Sequence, residues 1–268
     1  MHNFLFGILN ITEDSFSDGG RFLDPEAALA QAKKLVADGA DALDVGAASS
    51  HPRSEPVPPY VEIGRLAPVV LVAKEQGWKI SVDSFAAETQ LWALEEGVDY
   101  LNDIQGFADT SLYPHLAGAT AKLIVMHAVQ GTGRAQKIDT DPATIMGRIA
   151  DFFEARITAL IHAGIARERL ILDPGMGLFV GTKPEVSLTV LRRLPRLKSA
   201  FGPPIMVSVS RKSFLRKLVG RNVAEIGPAS LAAELYAALH GADIIRTHEP
   251  RSVRDALTIW SQIDTGNS

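Results

Sequence analysis

Cysteine is absent from all 268 residues, which excludes disulfides, thiolate nucleophiles and cysteine-ligated zinc together. A reducing compartment is compatible with that absence. Long apolar runs are missing too, since no stretch reaches the roughly 18 residues that a membrane helix needs. The first residues, MHNFLFGILNITEDS, carry a short apolar run with no basic leader and no small-residue cleavage site, so the chain reads as cytoplasmic. Basic charge is in deficit: 27 Lys and Arg face 31 Asp and Glu, for a net charge of −4. That balance argues against a general nucleic-acid surface. No G-x-G-x-x-G follows the first apolar segment, which removes the main signal of an open dinucleotide-binding sheet. Neither H-E-x-x-H nor a histidine pair after the first strand occurs, and the histidines are scattered, so a tightly held transition metal is disfavoured.

What is present is a regular alternation. Short apolar or β-branched segments recur as FLFGILNIT, DALDVGA, KISVDS, YLNDI, KLIVMHA, RLILDPG, PIMVSVS and DIIRTHE. Between them lie stretches of helical periodicity such as PEAALAQAKKLVADGA, ATIMGRIADFFEARITALIHAG and PEVSLTVLRRLPRLKSAF. Several of these end on glycine just before the next strand, as a helix C-cap feeding a βα repeat does. Eight such units without a linker-like change of composition predict an α/β fold, a single (β/α)8 barrel domain over residues 1–268. The longest irregular segments follow strands one, two and five, and in a barrel all three emerge at the C-terminal face, where active sites are built.

The polar residues at the strand ends are Asn10, Asp44, Asp83, Asn102, His127, Asp173, then Ser210, Arg211 and Lys212, then Arg246 and His248. A strand buried on both faces should read apolar, so charge at its end needs a partner or a task. Any one of these alone is as readily a solvated loop residue, and His127 alone reads as a satisfied loop histidine. Their convergence on one mouth favours a site. Asp83, Asn102 and Asp173 supply carboxylates and an amide suited to the edge of a planar, amidine-containing heterocycle. Arg211, Lys212, Arg246 and His248 place cations after strands seven and eight, where barrels often hold phosphate. In VSVSRKSFL the Arg and Lys are expected in the first turn of a helix, where the dipole disfavours them unless an anion compensates. A Mg²⁺ ion shared between Asn10 and substrate phosphates is compatible with that ion's habit of keeping its waters.

In order along the chain, FGILNITEDSFSDGG, DALDVGAASSHPRSEPV, ISVDS, LNDIQGF, LIVMH, LILDPGMG, VSVSRKSFL and IIRTHEP resemble the motifs of dihydropteroate synthase over nearly the whole chain. The resemblance implies a (β/α)8 barrel, usually a homodimer, that joins 6-hydroxymethyl-7,8-dihydropterin pyrophosphate to p-aminobenzoate with the help of Mg²⁺. By position it implies that Asp83, Asn102, Met126, Asp173 and Lys212 bind the pterin. Asn10, Ser50, Arg246 and His248 fall at the pyrophosphate site, with Asn10 also holding Mg²⁺. Phe16, Ser50, Leu178, Phe179 and Ser213 fall on the p-aminobenzoate side. The catalytic set implied is Asn10, Asp83, Asp173, Lys212, Arg246 and His248, with no nucleophilic side chain.

The departures cluster. Where the family's second loop reads roughly GGESTRPG, this chain has GAASSHPR, with Ala48, Ser50, His51 and Arg53 at the changed positions. After strand six Leu178, Phe179 and Val180 replace an aromatic, a small residue and lysine. The pterin positions are intact. This combination is similar to the sulfonamide-insensitive Sul-type branch and implies drug resistance by steric rejection at Phe179 or its loop. Three other readings stay open: a drug-sensitive housekeeping synthase, a pterin-binding barrel that transfers a methyl group to a corrinoid protein, and a non-catalytic pterin-binding barrel.

Overall fold

The computed structural model describes residues 3–12, 23–52 and 54–265; Phe16 and Arg53, both singled out above, lie outside them. Among these residues eight parallel strands run β1 (Phe4–Asn10), β2 (Ala42–Gly46), β3 (Ile80–Asp83), β4 (Tyr100–Asp103), β5 (Lys122–Met126), β6 (Leu170–Asp173), β7 (Met206–Val207) and β8 (Ile244–Thr247). Their order in the sheet is β6-β5-β4-β3-β2-β1-β8-β7. The two edges then meet: Leu172 forms a parallel bridge with Ile205 and donates its N–H to the Pro204 carbonyl at 2.9 Å. The sheet is therefore a closed barrel, as the eightfold alternation predicts.

Among the described residues ten α-helices surround it: α1 (Pro25–Ala37), α2 (Pro59–Glu75), α3 (Ala87–Glu95), α4 (Tyr113–Gly118), α5 (Ile145–His162), α6 (Pro184–Arg192), α7 (Leu194–Phe201), α8 (Ser213–Val219), α9 (Gly227–Leu239) and α10 (Pro250–Thr265). The local chemistry is fullest in α1. Asp24 caps it by accepting the Ala27 N–H at 3.2 Å, Pro25 opens the first turn, and Ala28, Ala32 and Leu35 bury one stripe.

Two expectations change. The single helix read over 184–201 breaks at Arg193 (φ −109°, ψ 9°), because Pro195 restricts Leu194 before it and restarts the helix as α7. Likewise PIMVSVS contributes only Met206–Val207 as strand. Pro203 and Pro204 have no N–H to give a ladder, and beyond Val207 the chain turns, with the Lys212 N–H donated to the Val209 carbonyl at 3.2 Å.

The core has two compartments. Outward residues such as Leu5, Leu9, Leu43, Val45 and Val82 pack under the helices. Inward, Phe6, Ala42, Tyr100, Ile124, Ile171, Met206 and Ile244 form an apolar floor inside the barrel. Phe6 and Tyr100 meet edge to face with centroids 4.9 Å apart, a geometry favourable for aromatic pairs.

Candidate active site

Side chains alternate along a strand, so the residue two positions beyond each floor residue also points into the barrel. Those residues are Asp44 after Ala42, Asn102 after Tyr100, Met126 after Ile124, Asp173 after Ile171, Ser208 after Met206 and Arg246 after Ile244. Register completes the layer by setting Asp83 opposite Asn102 and Met126 opposite Asp173. The period of two thus converts one apolar layer into a polar one about 7 Å above it.

An ion cluster organises that layer. Arg246 Nε donates to Asp44 Oδ2, and its Nη2 donates to Asp83 Oδ2 at 2.7 Å. Asn102 Nδ2 donates to the same Asp44 oxygen at 3.2 Å. Asp44 is fully buried, so its charge is tolerable only because Arg246 is there. Asp44 Oδ1, Asn102 Oδ1 and Ser208 Oγ find no partner among the described residues. Each buried polar atom left unpaired costs about 1–3 kcal/mol, and here the orphans are chiefly acceptors. The layer calls for a ligand rich in N–H.

Asp173 shows how the turn serves the site. Its Oδ1 accepts the Gly175 N–H at 2.7 Å, which fixes the carboxyl plane. Gly175 sits at φ +74°, and a Cβ there would lie 2.4 Å from the His127 carbonyl oxygen. Asp-Pro-Gly is therefore both a turn and an orienting device. Burial pushes Asp173 up to about 6, against the Gly175 hydrogen bond and Lys212. Burial likewise raises Asp83 to about 7, opposed by Arg246. Lys212 falls to about 8 through burial and repulsion from Arg246, with Asp173 and Asp83 resisting.

Above the layer one cleft is lined by Asn10, Ser50, Asp83, Leu178, Phe179, Lys212, Ser213, Arg246 and His248. Its apolar side includes Phe85, Ile104, Ala135, Leu178 and Phe179, which pack with Met126 and Ala128 behind them. Lys212 Nζ stands 5.2 Å from the centre of the Phe179 ring, a cation–π distance. The second loop is held from the fifth: Ala135 donates its N–H to the Ser50 carbonyl at 3.1 Å, and Arg134 bonds the Ser54 carbonyl.

Not every expected residue points the same way. Arg211 and Lys212 precede α8 rather than forming its first turn: Lys212 is the N-cap and Arg211 lies at φ +56°. The dipole argument for an anion there therefore does not hold. Arg211 instead pairs with Glu249 at 2.6 Å, tying the β7 and β8 loops together. His127 Nδ1 donates to the Pro174 carbonyl at 3.1 Å, and burial lowers its pKa to about 4, so it is a neutral structural residue. Phe16 cannot be placed, being outside the described residues. Asp44 was visible as a strand-end acid, but its role as the hub between Arg246 and Asn102 was not. The readable signal was its spacing, two residues beyond Ala42.

The barrel mouth thus holds a buried polar layer with a cleft bearing cations above it. The family of pterin-binding enzymes matches this chain over residues 6–248. The type-2 dihydropteroate synthase of Escherichia coli is 56% identical over 259 residues, covering 97% of this chain and 95% of its own. The type-3 enzyme of Escherichia coli is 50% identical over 255 residues, covering 95% and 97%. The structure of Xanthomonas albilineans dihydropteroate synthase with 4-aminobenzoic acid superimposes with a TM-score of 0.87 at 33% identity, covering 98% and 93%. The chain belongs to the pterin-binding enzymes and, among them, to the dihydropteroate synthases, which are transferases.

Proposed function

We propose that this chain condenses 6-hydroxymethyl-7,8-dihydropterin pyrophosphate with p-aminobenzoate to give 7,8-dihydropteroate and pyrophosphate, and that it does so in the presence of sulfonamides. The observation that carries the reaction is the buried layer of unpaired acceptors, Asp44 Oδ1 and Asn102 Oδ1 beside Asp83 and Asp173, beneath Arg246, Lys212 and His248. The pterin's N–H edge satisfies the acceptors, and its diphosphate rises toward Ser50, Arg246 and His248. As the carbon–oxygen bond breaks, the electron pair leaves with pyrophosphate, which the Arg246 and Lys212 cations stabilise. The carboxylates of Asp83 and Asp173 offset the positive charge left on the pterin methylene. The neutral aryl amine, seated against Ile104, Phe85 and Phe179, then attacks that carbon and releases a proton to water.

Mg²⁺ suits this arrangement. Asn10 lines the cleft and carries an amide oxygen able to face a cation, and no cluster of three or more acidic or histidine side chains that could cage a metal occurs among the described residues. One neutral oxygen plus phosphates and waters matches the ion's preference, and when bound it would neutralise the leaving diphosphate.

The pH dependence follows from the acids. A carboxyl keeps both oxygens purely as acceptors, and carries the charge that offsets a cation, only when ionised, and Asp83 and Asp173 are raised to about 7 and about 6. kcat/KM for the pterin substrate is expected to fall as pH drops through that range; a profile flat down to about pH 5 would contradict the assignment.

Resistance is supported by Phe179, which fills the aryl side of the cleft. p-Aminobenzoate ends in a compact carboxylate, whereas a sulfonamide carries a further substituent that this wall rejects. A bacterium lacking its own synthase gene should grow without folate end products when this chain is expressed, and should keep growing with sulfamethoxazole. Growth that stops with the drug points to an ordinary drug-sensitive synthase.

A homodimer is also part of this reading. Ile259, Trp260 and Ile263 of α10 are 61%, 43% and 64% exposed, an apolar group on one helix that suits a second copy. Sedimentation should give a dimer of the 28.8 kDa chain, and Ile263→Glu should give monomer.

A further inference from the structure

The alternation of β7 continues past its last paired residue. Val207 and Val209 are fully buried in the outer core under the helices, whereas Met206 belongs to the apolar floor inside the barrel. Ser208 therefore points inward with Met206. It lines the cleft and is 6% exposed. Register fixes its neighbour: Met206 pairs with Ile244, so two residues further on Ser208 comes level with Arg246.

The polar layer around it has committed its donors. Arg246 gives Nε to Asp44 and Nη2 to Asp83, and Asn102 Nδ2 also goes to Asp44. Three atoms of the layer are left without a partner among the described residues: Asp44 Oδ1, Asn102 Oδ1 and Ser208 Oγ. The first two can only accept. A hydroxyl has one hydrogen beside its two lone pairs, so of the three only Ser208 can donate. A buried hydroxyl with nothing to bond is a cost to the ligand-free protein, and alanine in its place would leave nothing unpaired. A ligand atom that accepts the hydrogen removes that cost.

We infer that Ser208 is a specificity-determining residue for the heterocycle: its hydroxyl donates to a ring carbonyl or an imine nitrogen of the bound ring. The layer then selects a ring with N–H groups for the carboxylates and the amide oxygen, and with an acceptor on the side of β7. A pterin carries both. A ring bearing N–H groups alone leaves Ser208 unpaired and binds less tightly. This deepens the proposed function and rests on the heterocycle lying in the polar layer.

The test measures binding without turnover, by calorimetry, with two probes. 6-Hydroxymethylpterin has the ring and no diphosphate; pyrophosphate with Mg²⁺ has the diphosphate and no ring. Ser208→Ala should weaken 6-hydroxymethylpterin about five- to tenfold, as loss of one hydrogen bond does, and leave pyrophosphate within about twofold. Its Tm without ligand should equal or exceed that of the parent, because an unpaired buried hydroxyl has gone. A serine that serves only the fold would give the reverse, a lower Tm with unchanged affinity. Ser208→Cys keeps the volume with only a weak S–H donor and should lose about as much affinity as alanine. Full affinity in Ser208→Cys would mark a packing role and overturn the inference. Unchanged 6-hydroxymethylpterin binding in Ser208→Ala, an equal loss for both probes, or a Tm below the parent's would overturn it too. A parent chain that does not bind 6-hydroxymethylpterin at all would sink the reading of the whole pocket, whereas tight binding indifferent to Ser208 removes this contact alone.

Discussion

Arg246→Met abolishes turnover and lowers the unfolding free energy by about 3–5 kcal/mol, the usual cost of leaving a buried charge without its partner. Arg246 bonds both Asp44, whose side chain is 0% exposed, and Asp83. Methionine fills a similar volume, so the loss reports charge rather than a cavity. Lys212 lies close enough to Asp83 to bear on its pKa, but no second described cation bonds Asp44. The pH dependence of the defect has a definite sign. Asp83 already titrates near 7 when folded, above its unfolded value of about 3.9. Such a group contributes stability below its unfolded pKa and loses it as pH rises through the folded one. Without Arg246 that folded value climbs further, so the defect is expected to shrink toward pH 5 and to be greatest above pH 7. Arg246→Lys keeps a charge but not the planar fork that reaches two carboxylates, and should recover part of the stability with little of the activity. Urea unfolding at two pH values checks this; a variant as stable as the parent at pH 8 contradicts the role of Arg246 as hub.

Phe179→Gly restores sulfonamide inhibition, with Ki for sulfamethoxazole falling about 10- to 100-fold, in line with what steric exclusion in a pocket can supply. The ring is 7% exposed, packs with Ile104, Met126 and Ala135, and sits under Lys212 Nζ. Its backbone carbonyl accepts the Val129 N–H at 2.8 Å, a bond glycine can keep, so the loop path should survive. Removing a buried Phe side chain costs about 3–5 kcal/mol, and for that reason Phe179→Leu is the needed companion. It keeps most of the packing and should show an intermediate Ki. KM for p-aminobenzoate should rise, since the same ring lines its seat. An unchanged Ki in both variants would move the source of exclusion elsewhere, with His51 and Leu178 the next residues lining the cleft to test.

The barrel and its polar layer were legible for one reason: both rest on period. The eight apolar segments announce the strands, and a polar or charged residue near the end of each is conspicuous because a strand buried on both faces has no solvent in which to put it. Asp83, Asn102, Asp173 and Arg246 were found in that way. Pairing was not legible, because it depends on which strand ends face each other across the barrel. Asp44 and Arg246 are 202 positions apart in the chain and yet share a hydrogen bond. Arg211 misled for the same reason, since its partner Glu249 belongs to a different loop. The helix break at Arg193 did have a written signal, the Leu-Pro pair after it, but the continuous apolar period across 184–201 outweighed it.

The central claim is that the polar layer and the cations above it form one site for one condensation. The direct measurement is release of pyrophosphate by the purified chain given 6-hydroxymethyl-7,8-dihydropterin pyrophosphate, p-aminobenzoate and Mg²⁺, with dihydropteroate quantified in the same samples. Pyrophosphate and dihydropteroate should appear in equal amounts, only when both substrates are present, and neither should form with Asp173→Ala. Absence of product with the unmodified chain, or equal rates with and without p-aminobenzoate, would contradict it.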